Sequence, residues 1–233
     1  MILPERQNLT FLSPFLKYLA TIQKEGDSLP PLTVISEQLG ISLASLREQL
    51  EVARALGLVE VRPRVGIRIL PYSLKPALLQ SAGFAIQMDE AYFSQFSDLR
   101  KQVETGFWYQ GVRSMSPADR QLLLTLVERA EEKLNGTSPQ IPHEEHRELH
   151  LSMYRKLNNP FVMGVLEAYW DLYEAVGLAY YTDMTYLCRV WNYHRRMVEA
   201  ILNDDLDLGF QLLIEHAGLL TERQRPDVVP RFE

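Results

Sequence analysis

Cysteine is nearly absent from this sequence: Cys188 is the single one in 233 residues. One thiol excludes an intrachain disulfide framework and points to a reduced, cytoplasmic compartment. Alone, it reads as a packed small hydrophobe rather than a nucleophile. No apolar run reaches the roughly 18 residues that a membrane-spanning helix needs, so no membrane partner is expected. The opening MILPERQNLT lacks the basic start and apolar stretch of a secretory leader. Internal repeats and low-complexity segments are missing. So is the Gly-x-Ser-x-Gly turn that carries the nucleophile of many hydrolases. A net charge of −6 argues against a protein that coats nucleic acid indiscriminately. The charge is uneven, however. Residues 1–75 hold nine basic against seven acidic side chains, and residues 76–233 hold 15 against 23. The two parts are therefore expected to meet different partners.

The apolar pattern also changes along the chain. Ser13-Pro14 opens a helix, with a capping hydroxyl followed by proline at the first helical position. Phe15, Leu16, Leu19 and Ile22 continue it to about Lys24, and Glu25-Gly26-Asp27 ends it. Pro30-Pro31 opens a second short helix carrying Val34, Ile35 and Leu39. Gly40-Ile41-Ser42 breaks it. Ser42 caps a third helix with Leu46, Leu50 and Ala53, ending at Gly57. Val59 and Val61, then Ile67 and Ile69, alternate as two short strands around Pro63-Arg64-Val65-Gly66. Beyond residue 76 strand signals vanish. One or two helices are expected within 76–113, then one from Ser116-Pro117 to Asn135-Gly136. Further helices follow at about 142–157, 160–181, 183–203 and 205–223. The expected organisation is a domain over 1–70, a linker over 71–75, an all-α domain over 76–223 and a loose tail over 224–233. The fold class is mainly α.

The first 70 residues carry a helix-turn-helix spacing. Ser36 sits four before Gly40, and Gly40 permits the sharp turn between two helices. The exposed face of the third helix would enter a DNA major groove, with Arg47 as the evident base or phosphate contact. Arg62, Arg64 and Arg68 around Gly66 make a hairpin suited to a minor groove or a phosphate ribbon. The plain alternative is a three-helix module whose hairpin arginines are a solvated edge.

The stretch EGDSLPPLTVISEQLGISLASLREQLEVARALGLVEVRPRVGIRIL resembles the winged helix-turn-helix of the GntR family of bacterial transcription regulators. The matching features are Gly26-Asp27-x-Leu29-Pro30, Glu37-Gln38-Leu39-Gly40-Ile41-Ser42, Leu46-Arg47-Glu48, Gly57-Leu58-Val59 and Arg62-Pro63-Arg64-x-Gly66. The resemblance implies a palindromic DNA operator, read by a homodimer through Thr33, Ser42, Leu43, Ser45, Arg47, Arg62, Arg64, Gly66 and Arg68. Two positions depart from the family pattern. Pro31-Leu32-Thr33 stands where Ser-Glu-Arg is usual, and Leu43-Ala44 where arginine then threonine is usual. Two frequent DNA-contacting arginines are thereby lost.

Three of the five histidines fall within HEEHRELH, at His143, His146 and His150. His146 and His150 lie one turn apart on one helix face, a common spacing for two ligands of one metal. His194 and His216 each sit inside a later amphipathic helix. A lone histidine there is usually a satisfied core or boundary residue. Two of them beside an i,i+4 pair make a converging metal site the sharper alternative. His143-Glu144-Glu145-His146 is not the HExxH of zinc peptidases, and no paired Glu-x-x-His segments suggest a di-iron centre.

The second half in turn resembles the FCD domain, the all-helical effector domain of FadR-type GntR regulators. Asp98-Leu99-Arg100-x-x-Val103-Glu104, His146-x-x-Leu149-His150, Leu157-Asn158-Asn159-Pro160, His194-Arg195-x-x-Val198 and His216-Ala217 carry it. Metal-binding members of that family use an aspartate, a histidine four residues on and two later histidines. The resemblance thus implies His146, His150, His194 and His216 as ligands, with His146 standing where aspartate is usual. Nitrogen ligands favour a divalent transition metal, zinc or nickel before others. Four neutral imidazoles leave the cation's charge uncompensated, which favours an anionic ligand. The family's effectors are mostly small organic acids, so the resemblance implies one here, with Arg100, at the family's helix-lining arginine, and its i,i+4 neighbour Glu104 at its site. The alternative for that pair is a surface or interface salt bridge. His143 is expected to be a solvated neighbour, and Tyr180, Tyr181 and Trp191 core residues or pocket walls. The expected whole is a DNA-binding repressor, not an enzyme. The alternatives are a regulator for which the metal itself is the signal, and a metal-dependent enzyme.

Overall fold

A computed structural model describes residues 10–22, 28–64, 66–177 and 183–223, with side chains through residue 219. They form two compact units that divide between Ala77 and Leu78. That division falls a few residues beyond the expected 71–75 linker.

In the first unit, α1 (Pro14–Thr21) is capped by the Ser13 hydroxyl, which accepts from the Leu16 amide. Helix α2 (Leu32–Leu39) ends at Gly40, whose φ of 63° is left-handed and suits a residue without a Cβ. The Ser36 hydroxyl closes the turn by donating to the Ile41 carbonyl at 2.5 Å. This is why a small polar residue four before the glycine was informative. Helix α3 (Leu43–Ala55) starts from the Ser42 cap and stops two residues short of Gly57. Strands β1 (Val59–Arg62) and β2 (Gly66–Ile69) pair antiparallel, with Val59 opposite Ile69 and Arg62 opposite Gly66. Phe15, Ile35, Leu46, Leu50, Ala53, Val59 and Ile67 form one apolar core. The result is a three-helix module with a two-stranded wing. The expected break at Glu25-Gly26-Asp27 lies outside the described residues, as do Val65, Tyr180, Tyr181 and the expected tail.

The second unit is helical. Two helices occupy the 76–113 region: α4 (Lys75–Met88) and α5 (Ala91–Arg113). Then come α6 (Pro117–Asn135), α7 (His143–Ser152), α8 (Pro160–Ala175), α9 (Met184–Leu202) and α10 (Leu206–Arg223). Helix α5 packs on α8 and α10, α6 packs on α7 and α9, and α9 packs on α10. Among the described residues no helix is long and apolar enough to cross a membrane.

Three expectations need correction. The helix expected over 142–157 stops at Ser152 and resumes only as a 3₁₀ turn at Arg155–Leu157. There the chain passes tightly beneath α5. A Cβ on Gly111 would lie 2.6 Å from the Met153 carbonyl, and the Tyr154 hydroxyl donates to the Glu104 carbonyl at 3.0 Å. The helix expected over 160–181 ends at Ala175, because Gly177 takes a left-handed φ of 77°. Cys188 is exposed rather than packed. It lies on the outer face of α9, away from the buried row Leu187, Val190, Trp191, His194.

Two measurements check this packing. Gly111→Ala should destabilise the protein by about 1–3 kcal/mol, since its methyl meets a backbone carbonyl that cannot rotate away. Gly106→Ala, in the same helix with nothing within 4 Å of its would-be Cβ, should stabilise by about 0.5–1 kcal/mol in denaturant unfolding. The α6 capping box gives a pH test. The Asp119 carboxylate accepts from the Ser116 hydroxyl at 2.6 Å and the Ser116 amide at 2.8 Å, which holds it below the ordinary 3.8. Its stabilisation is present above that ordinary value and disappears as pH falls through the lowered one. Asp119→Asn should therefore lower Tm at neutral pH, and the gap to wild type should close in strong acid.

Candidate metal centre

Three helices bring four imidazoles together. His146 and His150 project from one face of α7, His194 from α9 and His216 from α10. His150 and His194 are fully buried, and His216 is 6% exposed. His194 Nε2 lies 3.2 Å from His150 Nε2 and 3.2 Å from His216 Nε2. The His146 ring is 4.8 Å from the His194 ring and 5.2 Å from the His150 ring, centroid to centroid. One ligand nitrogen from each of the four falls within 4.8 Å of all the others.

Ion pairs fix the supporting helices. Arg195 of α9 holds Glu131 of α6 through two contacts. Lys133 of α6 holds Glu145 of α7 at 2.7 Å, and Arg147 of α7 holds Asp171 of α8 at 2.6 Å. Trp108 ties α5 to the start of α10 by donating to the Leu206 carbonyl at 2.9 Å, and its ring occupies space that a Cβ on Gly209 would fill.

Burial holds all four imidazoles well below the ordinary 6.5. The charge of Arg100 adds to this at every ring, and the neighbouring rings add to it at His146, His194 and His216. The rings are therefore neutral at neutral pH, the state in which a histidine offers a lone pair. Neutral rings alone do not satisfy one another. His194 Nε2 faces two other Nε2 atoms, and one proton there can serve only one of them. His146 Nε2 is buried with no hydrogen-bond partner among the described residues. A cation would resolve the crowding. With nitrogen–metal bonds of about 2.05 Å, a 3.2 Å nitrogen–nitrogen chord subtends about 100°, near the tetrahedral value of about 109°. The donor set fits a transition metal.

Beside this cluster lies a buried ion pair. Arg100 Nε is 3.0 Å from Glu104 Oε1, with the two side chains 6% and 1% exposed. The alternative held open for this pair, a surface or interface salt bridge, is not what forms: the pair lies inside the bundle. Arg100 Nη2 reaches His150 Nδ1 at 2.9 Å, and Glu104 Oε1 reaches the same nitrogen at 3.1 Å. The guanidinium carbon lies 5.0 Å from the Tyr169 ring centre and 5.7 Å from that of Trp170. Burial pushes the Glu104 carboxyl up, and the Arg100 charge opposes the rise.

His143 stays out of the ligand group. It lines a small pocket with His146, Arg147, Trp170, Tyr173 and Glu174. Trp191 is both core and wall, edge-on to His194 at 4.8 Å. Trp170 and Tyr154 were missed in the sequence. Trp170 packs edge-on against His146 at 4.7 Å, and its indole N–H is buried without a partner among the described residues. The only available signal was helical spacing, which does not separate a site wall from ordinary core.

In the first unit, Arg47, Arg62, Arg64, Thr33 and Ser42 are exposed, as is Gly66 at the wing tip. Arg64 holds a left-handed φ of 64° at that tip, and Arg62 pairs with Glu60 at 3.0 Å. Leu43, Ser45 and Arg68 are half-buried. The Ser45 hydroxyl accepts from Gln49 at 3.2 Å.

A winged helix followed in the chain by a helical unit with a histidine cluster is the build of a DNA-binding regulator with a sensor domain. The FCD domain family matches residues 95–219, over half of the sequence, and the chain belongs to it as a transcriptional regulator of the GntR type. Over 200 residues it is 27% identical to YieP, an uncharacterised HTH-type transcriptional regulator of Escherichia coli K12, covering 80% of this chain and 81% of that protein. Streptococcus agalactiae GntR shares the fold with a TM-score of 0.60 at 17% identity, over 85% of this chain and 90% of its own. Escherichia coli McbR/YncC does so with a TM-score of 0.50 at 19% identity, over 92% and 100%. The family is one of regulators, not enzymes.

The unsatisfied imidazoles lead to a direct test. Adding zinc to chelator-stripped protein should raise Tm, by about 2.7 kcal/mol of stabilisation at a free zinc concentration 100 times its Kd. His194→Ala should abolish the rise, because it removes the nitrogen that the other two share.

Proposed function

We propose that this regulator binds a palindromic operator as a homodimer, and that a small organic acid held at a metal in the helical domain controls the binding. The observation that carries this reading is the convergence of the His150, His194 and His216 Nε2 atoms beside the buried Arg100. His146, His150, His194 and His216 would hold a divalent transition metal, zinc or nickel. When bound, that ion supplies a positive centre that attracts an anion. Arg100 adds a planar donor pair suited to a carboxylate, and Glu104 balances its charge. Coupling to DNA requires only that the acid favour one arrangement of the dimer over another. Thr33, Ser42, Leu43, Ser45 and Arg47, with Arg62, Arg64, Gly66 and Arg68 on the wing, would meet the duplex. Repression relieved by the acid is the sign we adopt.

One observation favours a second reading, in which the metal is itself the signal. Four protein nitrogens gather within 4.8 Å of one another, and a metal that took all four in tetrahedral geometry would have no open position for an acid.

Operator duplexes selected from a randomised pool would provide the assay. Arg47→Ala and Arg64→Ala should each weaken DNA binding, and each lost phosphate contact should lower the salt slope by about 0.9. Unchanged affinity in both variants would sink the docking assignment. Titrating zinc alone, then zinc with citrate, acetate and other small acids, separates the two readings. DNA release that needs an acid supports the effector model, and release by zinc alone supports metal sensing. Bound metal unchanged on elemental analysis of His150→Ala would rule out both.

A further inference from the structure

We propose that Glu104 is an outer-sphere positioning residue of the metal centre, selecting the tautomer of His150 that leaves Nε2 free for a cation. The inference rests on the metal-site reading above and assigns Glu104 a role distinct from contact with the acid.

Two groups make opposite demands on His150 Nδ1. Arg100 Nη2, 2.9 Å away, can only donate. Glu104 Oε1, 3.1 Å away and paired with the guanidinium, only accepts. One ring nitrogen carries either a lone pair or a proton, so it serves one of them at a time. If Arg100 donates, Nδ1 keeps its lone pair and the proton sits on Nε2, directed into the 3.2 Å contact with His194 Nε2. That tautomer cannot bind a cation there. If Glu104 accepts, the proton sits on Nδ1, and Nε2 presents a lone pair to the centre of the cluster. Carboxylates commonly orient metal-bound histidines in this way.

The surroundings suit Glu104 to this task. Its side chain is 1% exposed, so water does not compete for its oxygens. The Arg100 charge holds Oε1, with Nε 3.0 Å away but not hydrogen-bonded to it, and the Tyr154 hydroxyl donates to the Glu104 carbonyl at 3.0 Å, fixing the backbone from which the side chain extends. Its second oxygen, Oε2, is buried and has no hydrogen-bond partner among the described residues, so the carboxylate keeps accepting capacity. The arrangement also assigns the two members of the ion pair different tasks. In the cation-binding tautomer Arg100 Nη2 would lose Nδ1 as an acceptor and keep only its 3.4 Å approach to His150 Nε2. A cation at Nε2 would take that lone pair and leave the Nη2 N–H for an incoming carboxylate.

The test compares zinc affinity, by competition with a chromophoric chelator, in full-length wild type and Glu104→Gln. The variant should bind zinc about 10- to 100-fold more weakly. Its far-UV circular dichroism should match wild type, and its melting in chelator should fall, because the buried Arg100 charge loses its partner. Nitrogen-15 spectra of the histidines in the zinc-loaded wild type provide a readout that a merely structural role would not move. His150 Nδ1 should carry the proton, and Nε2 should show the shift of a coordinated nitrogen. Should Glu104→Gln fail to fold, these spectra decide alone. A bare Nδ1, or a Glu104→Gln protein that binds zinc as tightly as wild type, would overturn the assignment while leaving the metal site standing. A wild type that binds no zinc or nickel would overturn the metal-site reading and this assignment with it.

Discussion

Four neutral imidazoles, three of them packed around His194, are the constraint on which the helical domain turns. Burying one histidine costs little when its ring nitrogens find partners. Burying four in mutual contact leaves nitrogens facing nitrogens, an arrangement that neutral rings cannot satisfy by themselves. The surrounding bundle is braced accordingly. The ion pairs Arg195–Glu131, Lys133–Glu145 and Arg147–Asp171 link α9, α6, α7 and α8 in a chain, and the packing of α10 on α9 and α5 brings the third histidine-bearing helix against them. Rigid convergence of this kind is the preorganisation that a cation site needs.

The buried Arg100–Glu104 pair belongs to the same economy of charge. An ion pair taken out of water is weak evidence for stability, because desolvation offsets much of its attraction. This pair sits against His150 and under the faces of Tyr169 and Trp170, where its charges act on the cluster at short range. On the proposed reading His146 takes the place of the usual aspartate, which would increase the importance of those charges. A metal there would lack a negative protein ligand and would rely on outer groups and an incoming anion for compensation.

The DNA-binding unit is built by simpler means. A left-handed glycine, a serine that closes the turn and a small apolar core place α3 and the wing. Local turn chemistry and periodicity determine such a module, so its elements could be read closely from the residues. The loss of two family arginines leaves that scaffold intact and falls on exposed or half-exposed positions, Thr33 and Leu43 among them.

Sequence alone determined the helix-turn-helix, the two strands of the hairpin and the helical character beyond residue 76. Each of these rests on spacing or on caps and glycines at the breaks, whereas the four candidate ligands needed the family resemblance, because spacing alone left His194 and His216 equally at home in a core. Tertiary structure decided the rest. It cut the helix expected over 142–157 at Ser152, because Tyr154 and the Met153 carbonyl must fit against Gly111. It turned Cys188 outward, a choice of helix face that a single residue does not announce. It placed Arg100 and Glu104 in the interior against His150, where the i,i+4 spacing was equally compatible with a solvated pair. It also made Trp170 a wall of the cluster. Helical periodicity specifies which residues share a face, and only the packing of one helix against another specifies what that face meets.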